Sequence, residues 1–212
     1  MDAYVDYSGT LWANVLNRQD NPGRQAVLDG LRTELKARDG VLLLAPLGFE
    51  NAYALAMRRD RAEQLGIRSL ADLAVHASDL TMGGDLEFFS RPEWAAVEKA
   101  YGLRFRAKRQ FQPTFMYRAL ASREADVISA FSSDGRIAAD DLVLLTDPKG
   151  ALPPYDAVIL VAPKRAGDRR LLDVLRPLSG AISLRTMQAA NYAVDRDTDK
   201  KSPAEAAAML TR

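Results

Sequence analysis

The sequence predicts an α/β protein in which a second lobe is inserted into the first. Short apolar runs typical of buried strands alternate with segments of helical periodicity along the chain. An apolar run also breaks at prolines or glycines twice, near residues 50 and 155, as expected where a chain crosses between lobes. We therefore expect one lobe to comprise residues 1–51 and 156–212, and the inserted lobe to comprise residues 52–155.

The elements of the first lobe begin with a strand at 3–5 and a helix over 11–16, which Ser8 is expected to cap. A second helix carries Val27, Leu28, Leu31 and Leu35 and ends at Asp39-Gly40. The wholly apolar run at 41–45 predicts a strand buried on both faces of a parallel sheet. The run at 157–161 predicts another buried strand, and three helices are predicted over 171–178, 185–194 and 203–210.

The inserted lobe is predicted to start with a strand over 52–57. Helices are expected from Ser69, from Pro92 to Tyr101, and over 114–120, and strands at 80–82, 104–107, 126–131 and 142–145. Gly83-Gly84-Asp85 is interpreted as a turn at which the backbone could approach a ligand. Phe88, Phe89 and Trp94 are assigned to the core.

Composition excludes several classes of function. The chain has 212 residues, 48% hydrophobic and 27% charged, and its net charge of +1 gives no footprint for nucleic acid or an anionic membrane. Without cysteine there are no disulfides or thiolate metal ligands. Because His76 is the single histidine in the sequence, most kinds of zinc site and Ser-His-Asp triad are excluded. We expect no cofactor and no metal. No apolar run reaches membrane-spanning length, and the N-terminus has no export-signal pattern.

Five spaced motifs carry a resemblance to a known family. They are Tyr-Ser-Gly-Thr at 7–10, Leu-Gly-Phe-Glu-Asn-Ala-Tyr-Ala-Leu at 47–55, Glu-Phe-Phe-Ser-Arg at 87–91, Ala-Phe-Ser-Ser-Asp-Gly-Arg-Ile at 130–137 and Pro-Pro-Tyr at 153–155. In this order they resemble the substrate-binding proteins of osmoprotectant ABC importers, which bind glycine betaine, choline or carnitine. The match covers nearly the whole chain.

The resemblance implies a two-lobe fold of the type II periplasmic-binding-protein class with a central cleft. It also implies a quaternary-amine ligand, ABC permease subunits as partners, and a periplasmic or extracellular location. By the same resemblance, aromatic rings would box the ammonium group, and Arg91 would hold a carboxylate. Tyr7, Tyr53 and Tyr155 fall at ring positions, Phe131 falls where a tyrosine is usual, and Thr10 and Asn51 fall at polar positions.

The chemistry of these residue types supports such a site independently. A trimethylammonium group forms no ordinary hydrogen bond, so proteins bind it with the negative faces of aromatic rings, at about 0.5–2 kcal/mol each. An arginine on a carboxylate adds about 1.5–3 kcal/mol. Phe131 lacks the hydroxyl of the tyrosine that is usual at this position, but it keeps the aromatic ring face. Arg91 directly precedes Pro92 and therefore lies at the start of a helix. A cation gains nothing from the helix dipole at that end, so an arginine there is better explained if an anion lies beside it.

Each residue also has an ordinary structural explanation. Without the motifs, Tyr7 and Tyr155 would more often be surface or hinge packing, Tyr53 would be core, and Arg91 would be solvated. His76 is expected at the surface, and Asp134 in a turn. The sequence departs from the family at its start, where members have a further strand and helix. We therefore expect that the chain is truncated or is completed by a partner, and that its first lobe has about three strands and an exposed edge. We also expect ligand binding to be weak or absent.

Two other classes of function stay open on the sequence alone. One is a ligand-sensing module, since effector domains of transcription regulators share a two-lobe architecture, although no DNA-binding helical segment is present. The other is an enzyme acting on a small amine or acid. Against an enzyme, the sequence has no nucleophile elbow, phosphate loop, dinucleotide fingerprint or paired-carboxylate site. No residue is assigned a catalytic role.

Overall fold

The chain divides into two compact units in the computed structural model, which describes residues 1–210 apart from the side chains of residues 113 and 114. Unit 1 comprises Met1–Ala52 and Pro153–Arg212, and unit 2 comprises Tyr53–Leu152. The chain thus leaves unit 1 after residue 52 and re-enters it at residue 153, whereas the sequence analysis placed these points after 51 and at 156. Residues 211 and 212 of the first predicted lobe lie outside the described residues.

Strands and helices follow one another along both units. The strands are β1 (Ala3–Tyr7), β2 (Leu42–Leu43), β3 (Tyr53–Arg58), β4 (Thr81–Gly84), β5 (Ala107–Gln110), β6 (Val127–Phe131), β7 (Leu142–Leu144) and β8 (Ala157–Val161). The helices are α1 (Ser8–Thr10), α2 (Arg24–Asp39), α3 (Arg59–Leu65), α4 (Leu70–His76), α5 (Leu86–Ser90), α6 (Pro92–Tyr101), α7 (Pro113–Ala121), α8 (Gly135–Ala139), α9 (Arg169–Leu175), α10 (Leu184–Asp195) and α11 (Pro203–Ala207). A π-helical turn, Leu11–Val15, continues α1.

Unit 1 is built around β8. The sheet has the order β1-β8-β2, and all five residues of β8 are buried. One face of β8 presents Val158 and Leu160 to α2, and the other presents Ala157, Ile159 and Val161 to a cluster that includes Leu172 of α9. The predicted three strands are confirmed, and β1 lies at one edge.

The predicted parallel direction of the strand at 41–45 is wrong. β2 pairs antiparallel with β8, with Leu42 opposite Val161 and Leu43 opposite Leu160. β1 is also antiparallel to β8. A wholly apolar run indicates that both faces of a strand are buried, but burial does not determine the direction of its neighbour.

Unit 2 contains a mixed five-stranded sheet of order β5-β4-β6-β3-β7. β4 is parallel to β5 and β6, while β3 is antiparallel to β6 and β7. Side chains alternate across the sheet, so that Leu55 and Met57 face a core with α4 and α6, and Ala56 faces a core with α7. Phe88 and Trp94 are buried and Phe89 is partly buried against the first core, which confirms their assignment.

Two predictions in unit 2 are wrong. Gly83 and Gly84 belong to β4 rather than to a turn, because the adjacent space is filled by aromatic rings. A Cβ on Gly84 would lie 2.9 Å from Phe89 Cζ, and one on Gly83 would lie 3.1 Å from Phe111 Cε2. The strand predicted at 104–107 lies at Ala107–Gln110, because it pairs in register with Thr81–Gly84. The sequence analysis also missed α3, whose charged face hides its periodicity.

Four helix ends follow their predicted signals. α2 ends at Gly40 and α6 ends at Gly102, both in the left-handed region. Ser69 caps α4 with a reciprocal bond to Asp72, and Pro92 is the first residue of α6. His76 closes α4 and is partly exposed. Across residues 1–210, none of the helices combines the length and apolar character needed to span a bilayer.

Candidate functional site

Unit 2 brings two of the predicted ring residues into contact. Tyr53 starts β3 and Phe131 ends β6, and the antiparallel register places them directly opposite each other. Their ring centroids are 4.5 Å apart with planes inclined by 35°. Phe88 of α5 supports Tyr53 from the core at 5.3 Å. Phe131 keeps 37% of its surface exposed, so the pair presents an aromatic face at the end of two strands.

Arg91 lies beside this ring pair. It occupies the junction between α5 and α6, and its Cζ atom lies 5.1 Å from the centroid of the Tyr53 ring. Its guanidinium forms an ion pair with Glu87, one helical turn earlier, and its Nε lies 3.4 Å from Glu93 Oε2. The anion expected near Arg91 is therefore supplied by the protein itself. The i,i+4 spacing of Glu87 and Arg91 could have indicated this pair in the sequence.

The backbone of Phe131 is fixed by a carboxylate. Asp134 Oδ2 accepts a hydrogen bond from Phe131 N at 3.0 Å and a second from the Tyr117 hydroxyl of α7. Burial, followed by the charge of Asp134, raises the pKa of Tyr117, so this hydroxyl stays protonated and donates. Asp134 does lie in a turn, as predicted, and there it fixes the backbone that carries the Phe131 ring. The sequence analysis did not identify Tyr117.

In unit 1, backbone contacts bring three predicted residues close together in the fold. Tyr7 ends β1 opposite Ala157, two residues beyond Tyr155. Asn51 N donates to the Tyr155 carbonyl oxygen at 3.0 Å. Thr10 follows Tyr7 by one turn, in α1. Tyr7 is half-buried, and burial together with Asp6 raises the pKa of its hydroxyl.

Ser8 ties these segments to one another instead of capping a helix. Its Oγ donates to the Pro154 carbonyl oxygen at 3.2 Å and accepts from Asp156 N at 2.9 Å. The predicted cap is therefore wrong, because the helix already begins at Ser8 and its side chain points across to the segment around residue 155. Gly9 packs against the Tyr155 ring, and a Cβ there would lie 2.7 Å from Tyr155 Cε1.

An arginine joins the two segments at which the chain passes between the units. Arg24, the first residue of α2, places Nη1 2.6 Å from Asp156 Oδ1 and Nη2 2.8 Å from Glu50 Oε2. Glu50 and Asp156 are themselves an antiparallel bridge pair, next to Asn51 and Tyr155. Burial raises the pKa of Asp156, Arg24 opposes that shift and Glu50 adds to it. This triad was not recognised in the sequence, because its members are far apart along the chain.

The predicted site residues are thus shared between the units. Tyr53, Arg91 and Phe131 belong to unit 2, and Tyr7, Thr10, Asn51 and Tyr155 belong to unit 1. Within residues 1–210, no three histidine, aspartate or glutamate side chains are grouped so that they could hold a metal ion. What the predicted residues offer chemically is aromatic surface, a few polar groups and, in unit 2, the Arg91 guanidinium.

Comparison with known proteins identifies the relatives of this chain. The family model for the substrate-binding domain of ABC-type glycine betaine transport systems matches residues 1–210. An ergothioneine transport permease and binding protein, EgtU, of Helicobacter pylori is 31% identical over 95% of this chain and 36% of its own length. The carnitine transport binding protein OpuCC of Listeria monocytogenes is 29% identical over 89% of this chain and 62% of its own. The chain thus spans about a third to three fifths of these relatives.

A solved structure agrees with the fold. The crystal structure of a glycine betaine/carnitine/choline ABC transporter protein superposes with a TM-score of 0.90 at 30% identity, covering 98% of this chain and 76% of that one. The predicted fold class, an α/β protein of the two-lobe type II periplasmic-binding-protein class, is confirmed. On the family match over residues 1–210, the chain belongs to the family of substrate-binding domains of ABC-type glycine betaine transport systems.

Proposed function

We propose that this chain binds a quaternary-ammonium osmoprotectant, such as choline or glycine betaine, for delivery to the permease subunits of an ABC importer. The observation that carries the proposal is the exposed ring pair of Tyr53 and Phe131 with the Arg91 guanidinium beside it. Ring faces attract a trimethylammonium group that no hydrogen-bonding side chain can select. The family to which the chain belongs supports the same class of ligand.

Each predicted residue has a role in this proposal. Tyr53 and Phe131 are ring walls in unit 2, and Arg91 is the counter-charge for a carboxylate where the ligand has one. Tyr7 and Tyr155 are ring walls in unit 1, and Thr10 and Asn51 supply polar contacts. The functions of the relatives, binding of carnitine and of ergothioneine for transport, favour binding without turnover. They also favour a periplasmic or extracellular location.

A thermal-shift screen tests the proposal. We expect choline, glycine betaine or carnitine at up to about 10 mM to raise the melting temperature in a saturable way, because a ligand that binds only the folded state stabilises it. Ethanolamine and glycine, which lack the quaternary nitrogen, are matched controls and should have little effect. If none of the quaternary amines stabilises the chain, the proposal is wrong. Consumption of the ligand, followed by NMR, would instead indicate an enzyme.

Gly9→Ala tests whether the Tyr155 ring takes part. A Cβ at this position would lie 2.7 Å from Tyr155 Cε1 and 2.8 Å from the Pro154 carbonyl oxygen, so the ring has to move. We expect choline binding, measured by isothermal titration, to weaken about 3- to 10-fold, the value of one misplaced ring.

Gly30→Ala is the matched control for this variant. Its Cβ would meet the ring of Trp12 at 2.7 Å, also in unit 1, but Trp12 has no proposed role in binding. This variant should lower stability and leave affinity unchanged. Equal affinity in Gly9→Ala and the unmodified chain would remove Tyr155 from the set of ligand-binding residues.

A further inference from the structure

The Arg91 guanidinium already has carboxylate partners. Glu87 binds it through an i,i+4 ion pair, and Glu93 Oε2 lies 3.4 Å from its Nε. The two acids differ in their surroundings. The Glu93 side chain is 8% exposed and held in place, whereas that of Glu87 is 69% exposed and can move. A carboxylate on a ligand would therefore be a third anion at one cation.

The surroundings of Tyr53 carry an excess of negative charge. Burial has the largest effect on the pKa of the Tyr53 hydroxyl and raises it. Arg91 lowers this pKa, and Glu87, Asp85 and Glu93 raise it. Asp85 is fixed nearby, because its Oδ1 accepts a hydrogen bond from Phe88 N at 2.6 Å. Of the charged groups that act on the Tyr53 hydroxyl, the three carboxylates outnumber the one guanidinium.

This charge acts oppositely on the two kinds of quaternary amine. Choline and glycine betaine share the trimethylammonium head, and both can place it on the rings of Tyr53 and Phe131. Choline is a net cation and gains from the negative field. Glycine betaine carries a carboxylate, which competes with Glu87 for the Arg91 guanidinium and is repelled by Glu93.

We propose that Glu87 is a specificity-determining residue, which occupies the Arg91 guanidinium and makes the site select net-cationic quaternary amines over zwitterionic ones. This inference rests on the proposed function, because it assumes that the ammonium head lies on the Tyr53 and Phe131 rings. Glu87 acts on the ligand through Arg91 and through its own charge. It takes the place that a ligand carboxylate would take.

Glu87→Gln tests this role by isothermal titration with choline and with glycine betaine. The unmodified chain should bind choline more tightly than glycine betaine. In the variant, glycine betaine should bind about two- to fivefold more tightly, as expected for relief of one exposed charge interaction, and choline should bind equally or more weakly. The ratio of the two dissociation constants should therefore shift towards glycine betaine.

Glu98→Gln is the matched control, since it removes the same charge from the same unit. Glu98 forms an ion pair with Lys108 Nζ at 2.6 Å, and this variant should leave the ratio unchanged. Tighter binding of glycine betaine by the unmodified chain, or an unchanged ratio in Glu87→Gln, overturns this inference and leaves the proposed function standing. If neither ligand binds any variant, the proposed function fails, and the inference fails with it.

Discussion

Replacing Tyr53 by alanine is expected to weaken choline binding about 30-fold, which corresponds to about 2 kcal/mol. The centroid of the Tyr53 ring lies 4.5 Å from that of Phe131, 5.3 Å from that of Phe88 and 5.1 Å from Arg91 Cζ. Its removal takes away one ring face and also the support of the exposed Phe131 ring. Isothermal titration measures the loss.

Tyr53→Phe separates the ring from the hydroxyl. It keeps the aromatic face, so we expect a change in affinity of less than about threefold. Circular dichroism should show that both variants retain the fold, because Tyr53 is only partly buried at the start of β3. If the alanine variant binds choline as tightly as the unmodified chain, the ring pair is not the ammonium site.

Much of the fold could be predicted because local signals and the tertiary structure agree. Glycine in the left-handed region ends α2 at Gly40 and α6 at Gly102, and both positions were predicted from residue type and periodicity. The buried strand β8 and the strand β3 were predicted from apolar runs. These features depend on residues within one turn or one strand of each other.

The failures share a different physical origin. The direction of β2 depends on β8, more than a hundred residues later, and no local pattern reports it. Gly83 and Gly84 resemble a turn, but they are required in β4 because the rings of Phe111 and Phe89 fill the space of a side chain. Glycine indicates that a Cβ would not fit, and the sequence alone does not say whether the cause is a turn or a neighbour.

The candidate site was predicted as a set of residues, but the groups that position them were not. The motifs point to Tyr53, Phe131 and Arg91, and the structure places these three together. Tyr117, which supports Phe131 through Asp134, lies in the core face of a helix and has no motif of its own. Charge partners such as Arg24 are separated from their carboxylates by long stretches of chain, so spacing does not identify them.

Arg24→Gln is expected to destabilise unit 1 by about 2–3 kcal/mol and to lower its melting temperature by roughly 5–10 °C. The variant leaves the carboxylate of Asp156, which is 4% exposed, beside Glu50 without its cation. We place the loss below that of a fully buried ion pair, because the Arg24 side chain is 53% exposed. Thermal unfolding followed by circular dichroism measures it.

The pH dependence of this loss follows from Asp156. Its pKa in the folded chain is raised above 3.8, chiefly by burial, and Arg24 limits the rise. A raised carboxyl pKa favours folding below that pKa and costs stability as the pH rises through it. Without Arg24 the pKa rises further, so the penalty should be full at neutral pH, should shrink as the pH falls through the raised pKa at which folded Asp156 takes up a proton, and should vanish below the ordinary value of 3.8.

Arg32→Gln and a double variant show whether the triad is responsible. Arg32 lies on the same helix, and its ion pair with Asp29 is exposed on both sides, so its loss should cost less than about 0.5 kcal/mol. Asp156→Asn in the Arg24→Gln chain should restore part of the stability at neutral pH, because the uncompensated charge is gone. Equal losses for the two arginines would contradict the role of the triad. A selective loss would show that this one guanidinium stabilises the two segments that carry Asn51 and Tyr155, through the neighbouring residues Glu50 and Asp156.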